Sequence, residues 1–375
     1  GYVIISLVML QVTVTGVTLY FHRDQAHRGV DLHPVLRHFF RFWLWMGTGM
    51  TTREWVAVHR KHHAKCETAE DPHSPVVFGL KKVLLEGAEL YKEHAADPET
   101  LEKYSRGCPD DWLENQLYYR HSYLGILIFV VAMLLMFGVA GVIMVAVQMS
   151  SMPLLAAGVI NGIGHHSGYR NFETEDAATN IVPWGVFLGG EELHNNHHAF
   201  PSSAKFSMRS WEFDIGWMWL TIFSSIGLAR VKKVAPKLRF EDEREQIDLE
   251  TVRAVIVNRM HILREYTRNV TLPVFRNELN RDGLSRRARR LLVRRPQLLD
   301  EASRQRLRAL LAKNPKLATV VEFRERLQAL WEGRHVSNER LIAQLKEWCA
   351  QAEASGIKVL QDYARALKHY TVAPA

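Results

Sequence analysis

Cysteine is scarce in this sequence: Cys66, Cys108 and Cys349 are the only three in 375 residues, and no two form a CxxC pair. Such spacing argues against a disulfide framework, a thiolate zinc site or an iron–sulfur cluster, and it fits a reducing compartment. No dinucleotide-binding loop is present. Gly162, Gly164 and Gly168 approach that pattern, but their spacing is wrong and an apolar segment precedes them instead of a strand, so they read as points of close helix approach. Haem-attachment and flavin motifs, internal repeats and low-complexity linkers are also missing. Charge is missing from residues 2–21 and from residues 122–164, the second stretch lacking histidine as well. A helix needs about 20 apolar residues to cross the ~30 Å hydrocarbon layer. The expectation is therefore spans near residues 1–21, 122–137 and 141–163, with a turn in the Phe137–Gly141 region and a bend at Pro153. A buried hairpin in a soluble protein is the blander reading, but uncharged runs this long are rare there. The absence of ionisable residues from 122–164 also argues against a transporter.

What is there divides the chain in two. Residues 241–375 carry 26 Lys+Arg against 18 Asp+Glu, which accounts for the whole net charge of +8, so residues 1–240 are neutral. Histidine divides the other way, with 15 of 18 before residue 240. The expectation is a chemical core over 1–240 and a basic helical extension over 241–375. The chain opens at Gly1 inside an apolar run without a basic leader or cleavage site, which reads as a truncated start, not a signal peptide. Residues 31–52 interleave His33, Arg37, His38 and Arg41 with aromatics, which predicts a helix lying at the membrane interface with its charges among headgroups. Arg23, Arg28, Arg37, Arg41, Arg53, Arg60 and Lys61 follow the first span, and the positive-inside rule puts that side in the cytoplasm. A hairpin over 122–164 then returns to the same side.

The histidines form three boxes: His22 with His27, then His59, His62 and His63, then His194, His197 and His198. Positions i, i+3 and i+4 share a helix face, so the second and third boxes each converge. The i, i+5 pair of the first box converges less well and is expected where a helix ends or from neighbouring turns. Eight imidazoles at one membrane depth exceed what one ion takes, and imidazole suits Fe, Zn, Cu or Ni, so two ions are expected. The boxes hold few carboxylates, unlike carboxylate di-iron bundles. Glu54, Glu67, Asp71, Glu191 and Glu192 lie nearby as acceptors for imidazole N–H groups or as solvated charges. Asn161 and His165 share a face at the end of the last apolar segment, and a polar Asn there is a site candidate or a helix–helix hydrogen bond. His33, His38, His73, His94, His121 and His166 lack box spacing and read as interfacial or loop residues.

HRDQAHR, EWVAVHRKHH, NGIGHHSGYR and EELHNNHHAFP resemble the motifs of membrane acyl desaturases of the stearoyl-CoA Δ9 type, the bacterial branch above all, over about residues 1–230. The resemblance implies an all-α fold of integral membrane helices under a cytosolic histidine-rich di-metal cap. It implies one iron held by His22, His27, His59, His63 and His197. It implies a second held by His62, His165, His194 and His198, with Asn161 acting through water. It further implies O2 as co-substrate and a cis double bond formed in a saturated acyl chain. Trp43, Trp45, Trp55 and Trp184 are candidate walls of the apolar cavity such a chain needs. Animal acyl-CoA members carry an Arg-Asp pair near the CoA headgroup where this chain has Ala57 and Val58, so the acyl carrier, CoA or phospholipid, stays open.

The expected function is O2-dependent Δ9 desaturation in a bacterial inner membrane, with the site on the cytoplasmic side. Electrons would come from a separate ferredoxin, rubredoxin or cytochrome b5-like protein. A hydroxylase on the same metals and a non-catalytic metal-binding membrane protein are the alternatives. The basic extension, with Arg286, Arg287, Arg289, Arg290, Arg294 and Arg295, reads first as a solvated helical bundle, then as a lipid-surface or partner-docking element. One run there resembles helical segments of bacterial transposases, but no helix-turn-helix or zinc signature accompanies it, and no nucleic-acid partner is expected.

Overall fold

The structure, a computed structural model, describes residues 1–241, 246–279, 286–332 and 337–372. The chain forms two compact units, one of residues 1–171 and 176–235, the other of residues 172–175 and 236–375. Helices dominate, but the described residues are not purely helical. Val30–Leu32 pairs antiparallel with Ala229–Val231, Trp184–Gly185 pairs parallel with Phe213–Asp214, and Leu238–Phe240 pairs antiparallel with Tyr370–Val372. Strands of two or three residues are too short to show a period-two pattern, which is why the sequence reads as all-α.

In the first unit, Tyr2–Ala26 and Val139–Ile163 are the two helices long and apolar enough to cross a membrane. Ser122–Phe137 is apolar but has only 16 residues, about 24 Å at ~1.5 Å per residue. Gly138, at φ 61° and ψ −146°, makes the turn between the last two helices in a conformation that only glycine adopts freely. Gly141 lets the hairpin close, because a side chain there would run into the carbonyl of Met133. Pro153 lacks an N–H, and from Pro153 to Ile163 the helix continues with wider i→i+5 hydrogen bonding instead of a bare kink.

The helix Pro34–Thr48 starts with proline at its first position and with the His33 ring accepting from the Val35 N–H, and it ends at Gly49 with φ 70°. Its two arginines make ion pairs within the protein. Arg41 is 5% exposed and forks onto Asp111 at 2.6 and 2.7 Å, with Glu114 at 2.7 and 3.0 Å. Arg37 grips both oxygens of Asp24 at 2.7 Å. A buried guanidinium is tolerable only when its donors are paired. Arg23 is likewise buried against Asp214, and Arg60 spends its donors on the carbonyls of Gln25, Ala26, Tyr104 and Arg106. Several of the basic residues that signal sidedness are therefore also internal struts.

The second unit has its own core, in which Tyr266, Leu317, Val320, Leu345, Trp348, Leu360 and Tyr363 are buried together. The polar ends of its aromatics are satisfied. Trp348 donates to the Phe323 carbonyl, Tyr266 to that of Val320 and Tyr363 to that of Ile262. The side chains of Arg286, Arg287 and Arg289 lie outside the described residues. Arg290 is exposed, while Arg295 is buried and pairs with Glu175 at 3.1 Å.

Candidate metal centre

Three helical segments deliver the histidine boxes. Thr52–Lys65 begins at Thr51, whose hydroxyl caps the Glu54 N–H and donates to the Glu54 carboxylate, and this reciprocal cap starts the helix that puts His59, His62 and His63 on one side. His194–Ala199 is a six-residue helix buried along its whole length. The first box sits where the N-terminal helix widens over Val17–Ala26, and the His27 N–H donates to the His22 carbonyl at 3.0 Å. In an i→i+5 bonded turn, residues five apart stack on one face. That local widening aligns His22 and His27, which an ordinary α-helix would turn apart.

The rings converge as two neighbouring groups. His22, His27, His59, His63 and His197 bring their ligand atoms within 4.8 Å of one another. Nε2 of His197 lies 3.1 Å from that of His22 and 2.9 Å from that of His63, and His27 and His59 meet at 2.8 Å. In the second group, Nε2 of His165 lies 3.2 Å from that of His62 and 2.9 Å from that of His194. His198 joins this group, together with Cys66. Asn161 does not touch the rings by any direct hydrogen bond among the described contacts; it lines the adjoining cavity, as His194 does.

Four carboxylates hold these rings from behind. Glu191 accepts from His22 Nδ1 at 2.7 Å, Asp71 from His62 Nδ1 at 2.9 Å, Glu67 from His165 Nδ1 at 3.0 Å and Asp176 from His198 Nδ1 at 2.8 Å. A proton fixed on Nδ1 leaves a lone pair on Nε2. When His62 and His165 are both neutral, their Nδ1 protons are used outward and two Nε2 lone pairs face each other at 3.2 Å. The Nε2 of His198 is buried and unpartnered. Facing lone pairs repel, and a cation between them removes that cost, so the donor set fits divalent metal. Burial, then the neighbouring imidazoles, holds His27, His59, His63, His194 and His197 well below the usual histidine range, which keeps them neutral and able to ligate. Burial brings His198 down to about 4 against the pull of Asp176. His62 goes the other way: burial resists its charge, but Asp71 beside it, then Asp176 and Glu67, raise it.

The carboxylates named from sequence thus separate. Glu67, Asp71 and Glu191 orient rings, whereas Glu192 accepts the N–H groups of Phe187, Leu188 and Gly190, and Glu54 serves its own helix cap. Sequence reasoning misses Asp176, because it sits 22 residues before His198 in a loop with no metal-ligand spacing. His73, read as a loop residue, is buried and packs at a 34° tilt against the His62 ring, with centroids 4.4 Å apart. Cys66, one of three scattered thiols in the sequence, stands beside the second ring group. Of the other histidines, His38 is exposed, His94 meets Lys61 at 3.1 Å and His166 bonds Ser167.

A cavity of about 570 Å³ adjoins the rings. His22, His59 and His194 lie at its wall, with apolar side chains such as Val17, Val58, Ile126, Met149, Met152, Ala156 and Ile160. Trp55 lines it and stacks on His59 at 4.8 Å and 13°. Trp43, Trp45 and Trp184 do not line it: Trp43 donates to Thr13, Trp45 to the His121 carbonyl, and Trp184 is exposed. Ala57 and Val58 are both buried, Val58 against the cavity.

A fatty acid desaturase family model matches residues 1–217, and a transposase family model matches residues 248–373. Delta-9 acyl-lipid desaturase 2 of Arabidopsis thaliana is 30% identical over 224 residues, covering 58% of this chain and 70% of the relative. Acyl-CoA 5-desaturase AL21 of Anemone leveillei is 31% identical, covering 59% and 68%. The sn-1 stearoyl-lipid 9-desaturase of Anabaena variabilis is 30% identical, covering 59% and 80%.

Proposed function

This chain belongs to the fatty acid desaturase family, and from that premise we propose that it introduces a cis double bond, at Δ9, into a saturated fatty acyl chain by an O2-dependent reaction at a di-iron site in a bacterial inner membrane, on the cytoplasmic side. The observation that carries the reading is the pair of histidine groups at the wall of one apolar cavity. In this reading His22, His27, His59, His63 and His197 hold one iron. His62, His165, His194 and His198 hold the other, and Asn161 contributes through water. When bound, the two irons supply activation of O2, which side-chain acid–base chemistry cannot replace, because an alkyl methylene is neither acidic nor electrophilic.

The chain's own residues do the rest. Glu191, Asp71, Glu67 and Asp176 fix the ring tautomers and so aim Nε2 inward. The apolar wall excludes water and holds the substrate so that one pair of methylenes faces the rings. Trp55 keeps the His59 ring in plane against that wall. The relatives' names include both lipid-linked and CoA-linked acyl chains and both Δ9 and Δ5 positions. Buried Ala57 and Val58 offer no charge to a CoA headgroup, which favours a phospholipid-bound chain over acyl-CoA. Two electrons per turnover come from a separate donor of the ferredoxin, rubredoxin or cytochrome b5 kind.

Gas chromatography–mass spectrometry of lipids from an iron-replete host expressing the chain tests this. New cis-monoenes, absent with His62→Ala, are expected. Hydroxylated chains would point to the oxygenase alternative, and an unchanged profile would remove the enzymatic reading.

A further inference from the structure

Four residues, Phe172–Glu175, pack with the second unit, although the chain before and after them belongs to the first. Phe172 is 1% exposed, and its ring meets that of His261 edge-on, with centroids 5.2 Å apart. Thr174 is buried, and Glu173 lines a cleft with the buried Arg295 and Arg324. Burial pulls the Arg324 guanidinium down, and Glu173 is the first charge that opposes the fall. Glu175 pairs with Arg295 at 3.1 Å but is largely exposed, so Phe172 is the firmer hold. The next two residues serve the rings. Asp176 accepts from His198 Nδ1 at 2.8 Å. The Ala177 N–H donates at 3.1 Å to Oε1 of Glu67, the oxygen that also accepts from His165 Nδ1 at 3.0 Å. His165 and His198 both belong to the second ring group. Glu191, behind His22 of the first group, is braced by Thr18 instead. One peptide bond, from Glu175 to Asp176, thus joins residues packed with the second unit to residues that orient two rings of one metal site.

We propose that the second unit is a positioning element of the second metal site. By holding residues 172–175 it fixes Asp176 and Ala177, and through them the Nδ1 partners of His198 and His165. The inference rests on the two-metal reading above. Arg170 also braces this loop, donating to the carbonyls of Asp176 and Ala178 at 2.9 and 2.7 Å. Releasing residues 172–175 therefore loosens the loop without freeing it. The consequence is unequal: both sites still fill, but the second binds its ion less tightly while the first is unchanged.

The test uses the full chain in detergent, loaded anaerobically with cobalt(II) and titrated with a chelator to give one constant for each ion. Asp71→Asn, behind His62, and Glu191→Gln, behind His22, identify which constant belongs to which site. Phe172→Ala, or Arg295→Ala if the first variant does not fold, is expected to bind two ions at saturation. It should weaken the constant that Asp71→Asn moves by about 10-fold and leave the other at its wild-type value. Phe172→Leu should restore much of the loss, and Arg308→Ala, an exposed cation of the same unit, should change neither constant. Hydrogen–deuterium exchange of the metal-free variant should quicken over residues 170–180 and stay slow over the second unit's core. Faster exchange there with both constants unchanged, equal weakening of both constants, or a shift only in the constant that Glu191→Gln moves overturns the proposal alone. Wild type that binds fewer than two cobalt ions overturns the two-metal reading and this proposal with it.

Discussion

A hydrogen bond to one ring nitrogen fixes which nitrogen a histidine can offer to a metal, and in this chain four carboxylates make such bonds. Their value can be measured singly. Asp71→Asn keeps the shape but removes the charge behind His62, and metal affinity should fall about 10–100-fold in a chelator competition, with the helix content unchanged. Burial also sets a pH dependence. The folded chain holds His198 near 4 and several neighbouring rings well below their usual range, while an unfolded imidazole titrates near ~6.5. Below ~6.5 the unfolded state therefore binds more protons than the folded one. Stability from these rings is complete above that pH and is lost as pH falls toward 4. Thermal unfolding of the metal-free protein in detergent should show a midpoint that drops over this window; a midpoint that rises on acidification would contradict the neutral-ring assignment.

At the level of elements, the site depends on helices that depart from regular geometry. The HxxHH boxes were legible because i, i+3 and i+4 positions converge on any α-helix. The first box was only half legible. Its i, i+5 spacing matches a turn with i→i+5 bonds, and nothing in HRDQAH announces that the helix widens there. Asp176 and Cys66 were illegible for different reasons: Asp176 reaches His198 across a loop, and Cys66 is an ordinary scattered thiol until the fold brings His165 beside it. The hairpin turn at Gly138 was legible from its glycines, whereas the internal pairing of Arg41 was not, because Asp111 and Glu114 lie 70 or more residues away. Two changes probe these elements. Gly141→Leu forces a side chain onto the Met133 carbonyl and should lower the yield of folded protein recovered from membranes. Ala156→Phe fills part of the apolar cavity and should shift the products toward shorter chains in the fatty acid profile, without loss of bound metal.

Across the whole molecule, the ring groups, their carboxylates and the cavity all belong to the first unit. The desaturase match covers residues 1–217, and the transposase-family match falls on the helical second unit, whose core is separate. Trp348→Ala opens a void in that second core and should cost about 3–5 kcal/mol of its stability. Limited proteolysis should then cut within residues 246–372, while the metal count stays at the wild-type level. The central claim is that nine histidines, from the three boxes and His165, form two metal sites side by side. Its most direct test is the iron content per chain of anaerobically purified protein, with Mössbauer spectroscopy to establish whether the ions form one coupled pair. The account predicts two irons per chain, reduced to one or none by His62→Ala. A full complement of one iron in the wild type, or two irons undisturbed by His62→Ala, would contradict it.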